Sequence, residues 1–149
     1  MSQKFTIPGR LMGRNEHDYL NRSHWSKGRK AKKQEEEKVI LAIKAAKLKP
    51  ISGSVEIGIN YIEGKKKNHR VRDIDNIIGG GDKVILDALV KANIIKDDNP
   101  YTVKNVYHWF KFNAQKPRID VEIMPYKCTG RCVFYPPIAG LGVRDENHE

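Results

Sequence analysis

The sequence predicts an α+β fold, in which a mostly antiparallel (mixed) sheet is packed by two helices within a single domain. Three observations predict it. Short runs alternate apolar and polar residues at Lys4–Ile7, Val55–Tyr61 and Arg118–Ile123, the period of half-buried strands. Two longer stretches, Lys33–Lys49 and Lys83–Asn93, instead repeat their apolar residues every three to four positions. The order strand, helix, strand, strand, helix, strand, strand then suits an α+β layer arrangement. At 149 residues the chain is long enough for one domain with a modest core.

Taken in order, the first strand is stopped by Pro8-Gly9. Arg10 to Lys33 reads as a loop rich in cations, with Tyr19, His24 and Trp25 interleaved. Basic and aromatic residues together can grip phosphates and stack on unpaired bases; a solvated arm is the equally weighted plain reading. The Lys33–Lys49 helix carries Val39, Ile40 and Ile43 on one stripe, has Glu35–Glu37 in its first turns, and is closed by Pro50. Val55–Tyr61 is a strand with one wet face. Glu63–Asn68 is a charged hairpin connection leading to a strand at Val71–Asp75. Gly79–Gly81 reads as a flexible loop and Asp82 as the N-cap of the second helix, whose buried stripe is Ile85, Ala88, Leu89 and Ala92. Ile94-Ile95 re-enters the core, and Lys96–Pro100 is a polar turn. Tyr101–Phe112 is β-prone with a bulge near Asn105-Val106, and Trp109 and Phe110 point to opposite faces.

The chemistry concentrates in Arg70–Asp98. If Val71–Asp75 is a strand, Asp73 and Asp75 project from one face and repel each other unless a cation or metal lies between them. Such a pair is a candidate site for Mg²⁺ or Mn²⁺. A second carboxylate cluster, Asp97-Asp98, follows the helix. Carboxylates converging within a basic chain are what metal-assisted phosphodiester cleavage requires, with Lys and Arg holding the polyanion.

These residues carry a resemblance. Arg72, Asp73-x-Asp75-Asn76, Lys83, Asp87-Ala88-Leu89 and Asp97-Asp98 are similar, in type and spacing, to the pattern of the RusA-like Holliday junction resolvases. The likeness runs roughly from Phe5 to Met124 and includes the opening strand, Pro8, Asn15 and Arg22. Ile77–Asp82 is longer than in the compact form of that family and resembles relatives with a longer, Gly-containing loop. The resemblance implies that Asp73, Asp75 and Asp98 bind the metal, with Asp97 the alternative for the third position, and that Lys83 is the catalytic lysine. It implies Mg²⁺ as cofactor, with Mn²⁺ a substitute, a four-way DNA junction as partner, a homodimer, and a bacterial cytoplasmic setting, phage or prophage encoded. The backbone-binding residues expected are Arg10, Arg14, Arg22, Lys65, Lys66, Lys67, Arg70 and Arg72. Residues 1–124 would form the nuclease domain and 125–149 an extension.

The composition sets the alternatives. Lys and Arg number 28 against 18 Asp and Glu, a formal net charge of +10, which suits a polyanionic partner. No apolar run is long enough to span a membrane, and Met1 opens no signal-peptide pattern. Two cysteines, Cys128 and Cys132, exclude a disulfide-dense scaffold and supply at most two of the four ligands of a closed zinc site. The alternative is a non-catalytic basic nucleic-acid-binding module; against it, a pure phosphate binder gains nothing from acids set among its cations. A metal nuclease of the same fold acting on other branched or duplex DNA is a third reading.

Overall fold

The computed structural model describes residues 1–65 and 71–127. Four strands form one sheet in the order β1-β4-β2-β3, with β1 spanning Gln3–Pro8, β2 Val55–Gly64, β3 Val103–Ala114 and β4 Arg118–Pro125. β1–β4 and β4–β2 pair antiparallel and β2–β3 pair parallel. The sheet is therefore mixed and mostly antiparallel, as expected, with one strand fewer than the sequence suggested. The parallel pair needs a crossover, and α3 (Ile74–Lys91) supplies it.

Register explains the core. Along β4, Ile119, Val121 and Ile123 face Tyr61, Ile59 and Ile57 of β2, while Ile7 and Phe5 of β1 meet Ile119 and Val121. All of these side chains are buried on one face of the sheet, under Val39 and Ile43 of α2 (Trp25–Ala45) and Ile77, Val84, Ile85, Ala88 and Leu89 of α3. The expected stripe Ile85, Ala88 and Leu89 is buried and Ala92 half-buried; Ile94 and Ile95 do re-enter the core. On β3 the two faces separate as expected: Phe110 stacks on Tyr61 at 5.9 Å, whereas Trp109 is exposed over Gly58. A bulge is present, one residue earlier than expected, because Glu56 pairs with Asn105 and leaves Lys104 extra.

Three expectations fail. The Arg10–Lys33 stretch is helical: α1 (Arg14–Ser23) is joined by the single extended residue His24 to α2, which starts at Trp25. The domain therefore has a third helix. α1 buries none of its side chains fully, so it has no apolar stripe to reveal it. Next, Val71–Asp75 is not a strand. Asp73 is the N-cap of α3 with extended φ −66° and ψ 148°, and Asp75 lies in the first turn. Val71 and Ile74 are more than half exposed while Arg72 turns inward, so the period-two pattern does not mark a buried face. Finally, Gly79–Gly81 and Asp82 lie inside α3, not in a loop and its cap.

The glycine run is a helix contact surface. A Cβ on Gly80 would overlap the Met12 carbonyl oxygen and stand 2.8 Å from Arg14 N; one on Gly79 would come 3.1 Å from Arg14 Cδ; one on Gly81 would overlap the Tyr61 hydroxyl. The bare Gly80 lets the backbone entering α1 lie directly on α3, while Gly79 makes room for the Arg14 side chain and Gly81 for Tyr61 of β2. Asn76 completes this docking, its Oδ1 accepting the Asn15 N–H at 2.9 Å and satisfying one orphan donor of the first turn of α1.

Candidate active site

α3 carries the candidate residues along its length. Asp73 and Asp75 sit at its N-terminal end, and Lys83 lies eight residues beyond Asp75, about 12 Å along the axis. Aspartate at an N-cap ordinarily accepts a hydrogen bond from the first turn, yet the Asp73 side chain makes no such bond. Both Asp73 and Asp75 are exposed, and their carboxylates have no hydrogen-bond or ion-pair partner among the described residues. Two hard-oxygen ligands are thus left free where the N-terminus of the helix favours negative charge.

Lys83 is held from two sides. Its Nζ donates to Asp87 Oδ1 at 2.9 Å and to Asp98 Oδ2 at 3.5 Å. The hydrogen bond to Asp87 raises the Lys83 ammonium above its usual range, against a small opposing effect of burial, and the charge of Asp98 adds to the rise. Burial works to raise the Asp87 carboxyl, but hydrogen bonds from Lys83 and Lys32 prevail and hold it below its usual range. Lys32 of α2 reaches Asp87 Oδ2 at 3.1 Å.

The adjacent aspartates of the following turn differ. Asp97 is used locally: Oδ1 accepts the Asp98 N–H at 2.8 Å and Oδ2 accepts from Asn99 Nδ2 at 2.5 Å. Asp98 makes no such local bond and faces Lys83. Of the two, Asp98 is the one with a carboxylate turned toward the site.

The three carboxylates Asp73, Asp75 and Asp98 do not form a closed cage. Among the described residues no group of three or more His, Cys, Asp or Glu is near enough to hold a metal ion. The donor chemistry fits Mg²⁺ all the same. That ion keeps several waters and is commonly held by one or two carboxylates together with substrate phosphates, not by an all-protein cage.

The basic residues sort into different roles. Arg72 is a buried clamp, not a DNA contact: its side chain is 8% exposed, forms a bidentate pair with Glu63, and donates to the Leu11 carbonyl at 3.0 Å. It ties β2 to the segment leading into α1. Arg10 pairs with Glu16 at 2.6 Å, a hydrogen bond that holds the Glu16 carboxyl below its usual range. Arg14 is well exposed and only loosely paired with Asp18 at 3.9 Å; Arg22 and Lys65 are exposed. Lys66, Lys67 and Arg70 lie outside the described residues, as do Cys128, Cys132 and the remainder of the tail.

A cleft of about 410 Å³ opens beside Lys83 between all three helices. Arg14 and His17 of α1, and Arg29 and Lys32 of α2, stand around a floor made by Gly79 and Gly80. Reading the arm as a loop concealed this cleft. Its helical signal was the spacing 14, 17, 18, 21 in α1 and 25, 28, 29, 32 in α2, which is polar and therefore invisible to a search for apolar periodicity.

Among the described residues no helix is long and apolar enough to cross a membrane. No curated protein matches the chain. A family model described as Endodeoxyribonuclease RusA matches residues 8–124, which run from the last residue of β1 through most of β4 and include every candidate carboxylate. Nucleases of this family depend in general on divalent metal ions and bind branched DNA junctions. The chain belongs to the RusA endodeoxyribonuclease family, whose members are Holliday junction resolving enzymes.

Proposed function

We propose that this nuclease resolves four-way DNA junctions, or closely related branched DNA, by Mg²⁺-dependent hydrolysis, with Asp73, Asp75 and Asp98 as the metal-binding carboxylates and Lys83 as the catalytic lysine. The observation that carries the reading is the pair of carboxylates without partners among the described residues, Asp73 and Asp75, at the start of the helix whose Lys83 borders a basic cleft. The chemistry a divalent ion supplies when bound is Lewis acidity, which lowers the pKa of water and polarises a phosphate. The chain's own residues do the rest. Lys83, kept protonated by Asp87, is positioned to stabilise charge developing on the phosphate or the leaving oxygen. Arg10, Arg14, Arg22, Lys65, Lys66, Lys67 and Arg70 hold the backbone; Arg72 is withdrawn from that set because its guanidinium is buried. Mn²⁺ is expected to substitute for Mg²⁺. Residues 1–124 make up the nuclease domain and 125–149 an extension. A four-way junction has near two-fold symmetry, so a C2 homodimer presenting two such sites would nick two strands symmetrically.

The test uses wild type and Asp75→Asn on a labelled synthetic junction and on linear duplex of the same sequence, with and without Mg²⁺. Paired symmetric nicks in the junction alone, requiring metal and lost in the variant while binding persists, are expected. Binding without cleavage in Mg²⁺ or Mn²⁺ would overturn the proposal.

A further inference from the structure

One turn of α2 before Arg29, which lines the cleft beside Lys83, the helix begins with an exposed aromatic residue. Trp25 is 65% exposed at the first position of the helix. Trp25, Arg29 and Lys32 are spaced i, i+4 and i+7, so they follow one side of α2. The Arg29 guanidinium carbon lies 5.6 Å from the Trp25 ring centroid, and the His24 ring stacks on the other residue's indole at 6.4 Å with 17° between planes. At the inner end Lys32 reaches Asp87, the residue that also holds Lys83. A track of cations therefore leads from the indole to the catalytic lysine.

Two further features mark the track as a ligand surface. Gly28 is buried, and a Cβ there would overlap the Asn21 side chain, so α1 and α2 meet closely one turn from Trp25. Within the cleft, His17 Nε2 is buried with no hydrogen-bond partner among the described residues. A buried ring nitrogen without a partner calls for one from outside the chain. The cations specify an anion, and a flat exposed indole backed by a guanidinium specifies a π-faced group. A nucleic-acid strand with an unpaired base supplies both.

The geometry points to Trp25 as a base-stacking platform that selects branched over linear DNA: an unpaired base near the branch point lies on the indole, and the backbone leading from it runs past Arg29 and Lys32 toward Lys83. From Trp25 to Lys32 the helix rises about 10 Å, equivalent to roughly three stacked nucleotides. The stacked base therefore sits roughly three nucleotides from the phosphate at Lys83. This inference rests on the proposal that the chain acts on branched DNA, but it concerns recognition and is testable without cleavage.

The experiment uses full-length protein in EDTA, so that binding is read apart from hydrolysis. The chain has two tryptophans, and Trp109→Phe leaves Trp25 as the sole indole emitter. Saturation with a four-way junction should quench that emission strongly, and saturation with linear duplex should not. Trp25→Ala should weaken junction binding by roughly 5- to 150-fold, the range of base–aromatic stacking, while duplex affinity stays within about twofold; Trp25→Phe should recover most of the loss. Unquenched Trp25 emission, or equal weakening of junction and duplex, overturns the inference, and so does failure of the wild type to bind a junction. Selective quenching in a wild type that cuts nothing in Mg²⁺ or Mn²⁺ would uphold the platform and overturn the nuclease proposal, so the two fail separately.

Discussion

Gly80→Ala offers a test of the idea that the glycine run is a docking surface, because two effects of opposite sign meet there. In a helix interior alanine is favoured over glycine by about 1 kcal/mol. Gly80 lies inside α3, so propensity alone predicts stabilisation. The added Cβ would, however, overlap the Met12 carbonyl oxygen and stand 2.6 Å from the Gly13 carbonyl carbon and 2.8 Å from Arg14 N. These are backbone atoms at the entry to α1, and none can rotate aside. Overpacking costs about 1–3 kcal/mol, and overlap with immovable backbone puts this case in the upper part of that range, about 2–3 kcal/mol, so the net expectation is destabilisation by about 1–2 kcal/mol. In a chain of this size that lowers Tm by roughly 2–8 °C. Gly79→Ala is the matched control. Its Cβ meets Arg14 Cδ at 3.1 Å and Cβ at 3.2 Å, part of a well-exposed side chain that can yield. It should be neutral or stabilising by up to about 1 kcal/mol. Urea denaturation with comparison of m values separates a stability change from a change in compactness. A Gly80→Ala protein as stable as wild type, or identical behaviour of the two variants, would refute the docking argument.

Other expectations follow from the same contacts. Glu63→Gln leaves the Arg72 guanidinium buried without its carboxylate and should cost about 3–5 kcal/mol in denaturant unfolding; a loss below 1 kcal/mol would mean that water reaches Arg72. Lys83→Met should lower the cleavage rate by roughly 100- to 1,000-fold and leave junction binding in EDTA within a few-fold; equal losses in both would make Lys83 a binding residue only. Asp87→Asn removes a carboxyl held below its usual range. A depressed carboxyl stabilises the fold above its unfolded pKa, near 4, and that contribution is lost as pH falls through the folded value. The variant should therefore be about 0.5–1 kcal/mol less stable at neutral pH and converge with wild type in acid, as read from Tm against pH; a gap that persists in acid would assign the effect to packing.

How much the sequence discloses depends on whether an element announces itself by apolar period. β1, β2 and β4 alternate because one face is buried, and their register follows from that pattern. The second half of α3 shows a full stripe from Ile85 to Leu89. Its first half does not, because Gly79–Gly81 brings no side chains of its own to the contacts with Arg14, the backbone before α1 and Tyr61, and a run of three glycines reads locally as a loop. Asp73 and Asp75 are candidates by residue type and spacing, but the alternation that suggests a strand around them is an accident of five residues straddling a helix N-cap. Arg72 shows the limit of composition: it is one cation among many until the fold pairs it with Glu63, nine residues earlier in sequence.

The charge arrangement on α3 has a consequence for how the site works. Asp75 near its start and Asp87 near its end flank Lys83, yet only Asp87 is in contact with it. Asp98 is the third carboxylate and shares the ammonium at a longer distance, 3.5 Å against 2.9 Å for Asp87. A ligand that takes up the Asp98 carboxylate therefore removes the weaker of the two tethers and leaves the stronger. Lys83 stays charged and located, with one carboxylate fewer competing for it. Asp87, in turn, is balanced by Lys32 from α2, so the helix that borders the cleft also fixes the lysine beside it. Carboxylates without partners among the described residues at the start of α3, and a lysine with an independent anchor near its middle, suit a reaction in which the substrate backbone spans both positions. That division explains why the three candidate carboxylates need not converge in the protein alone.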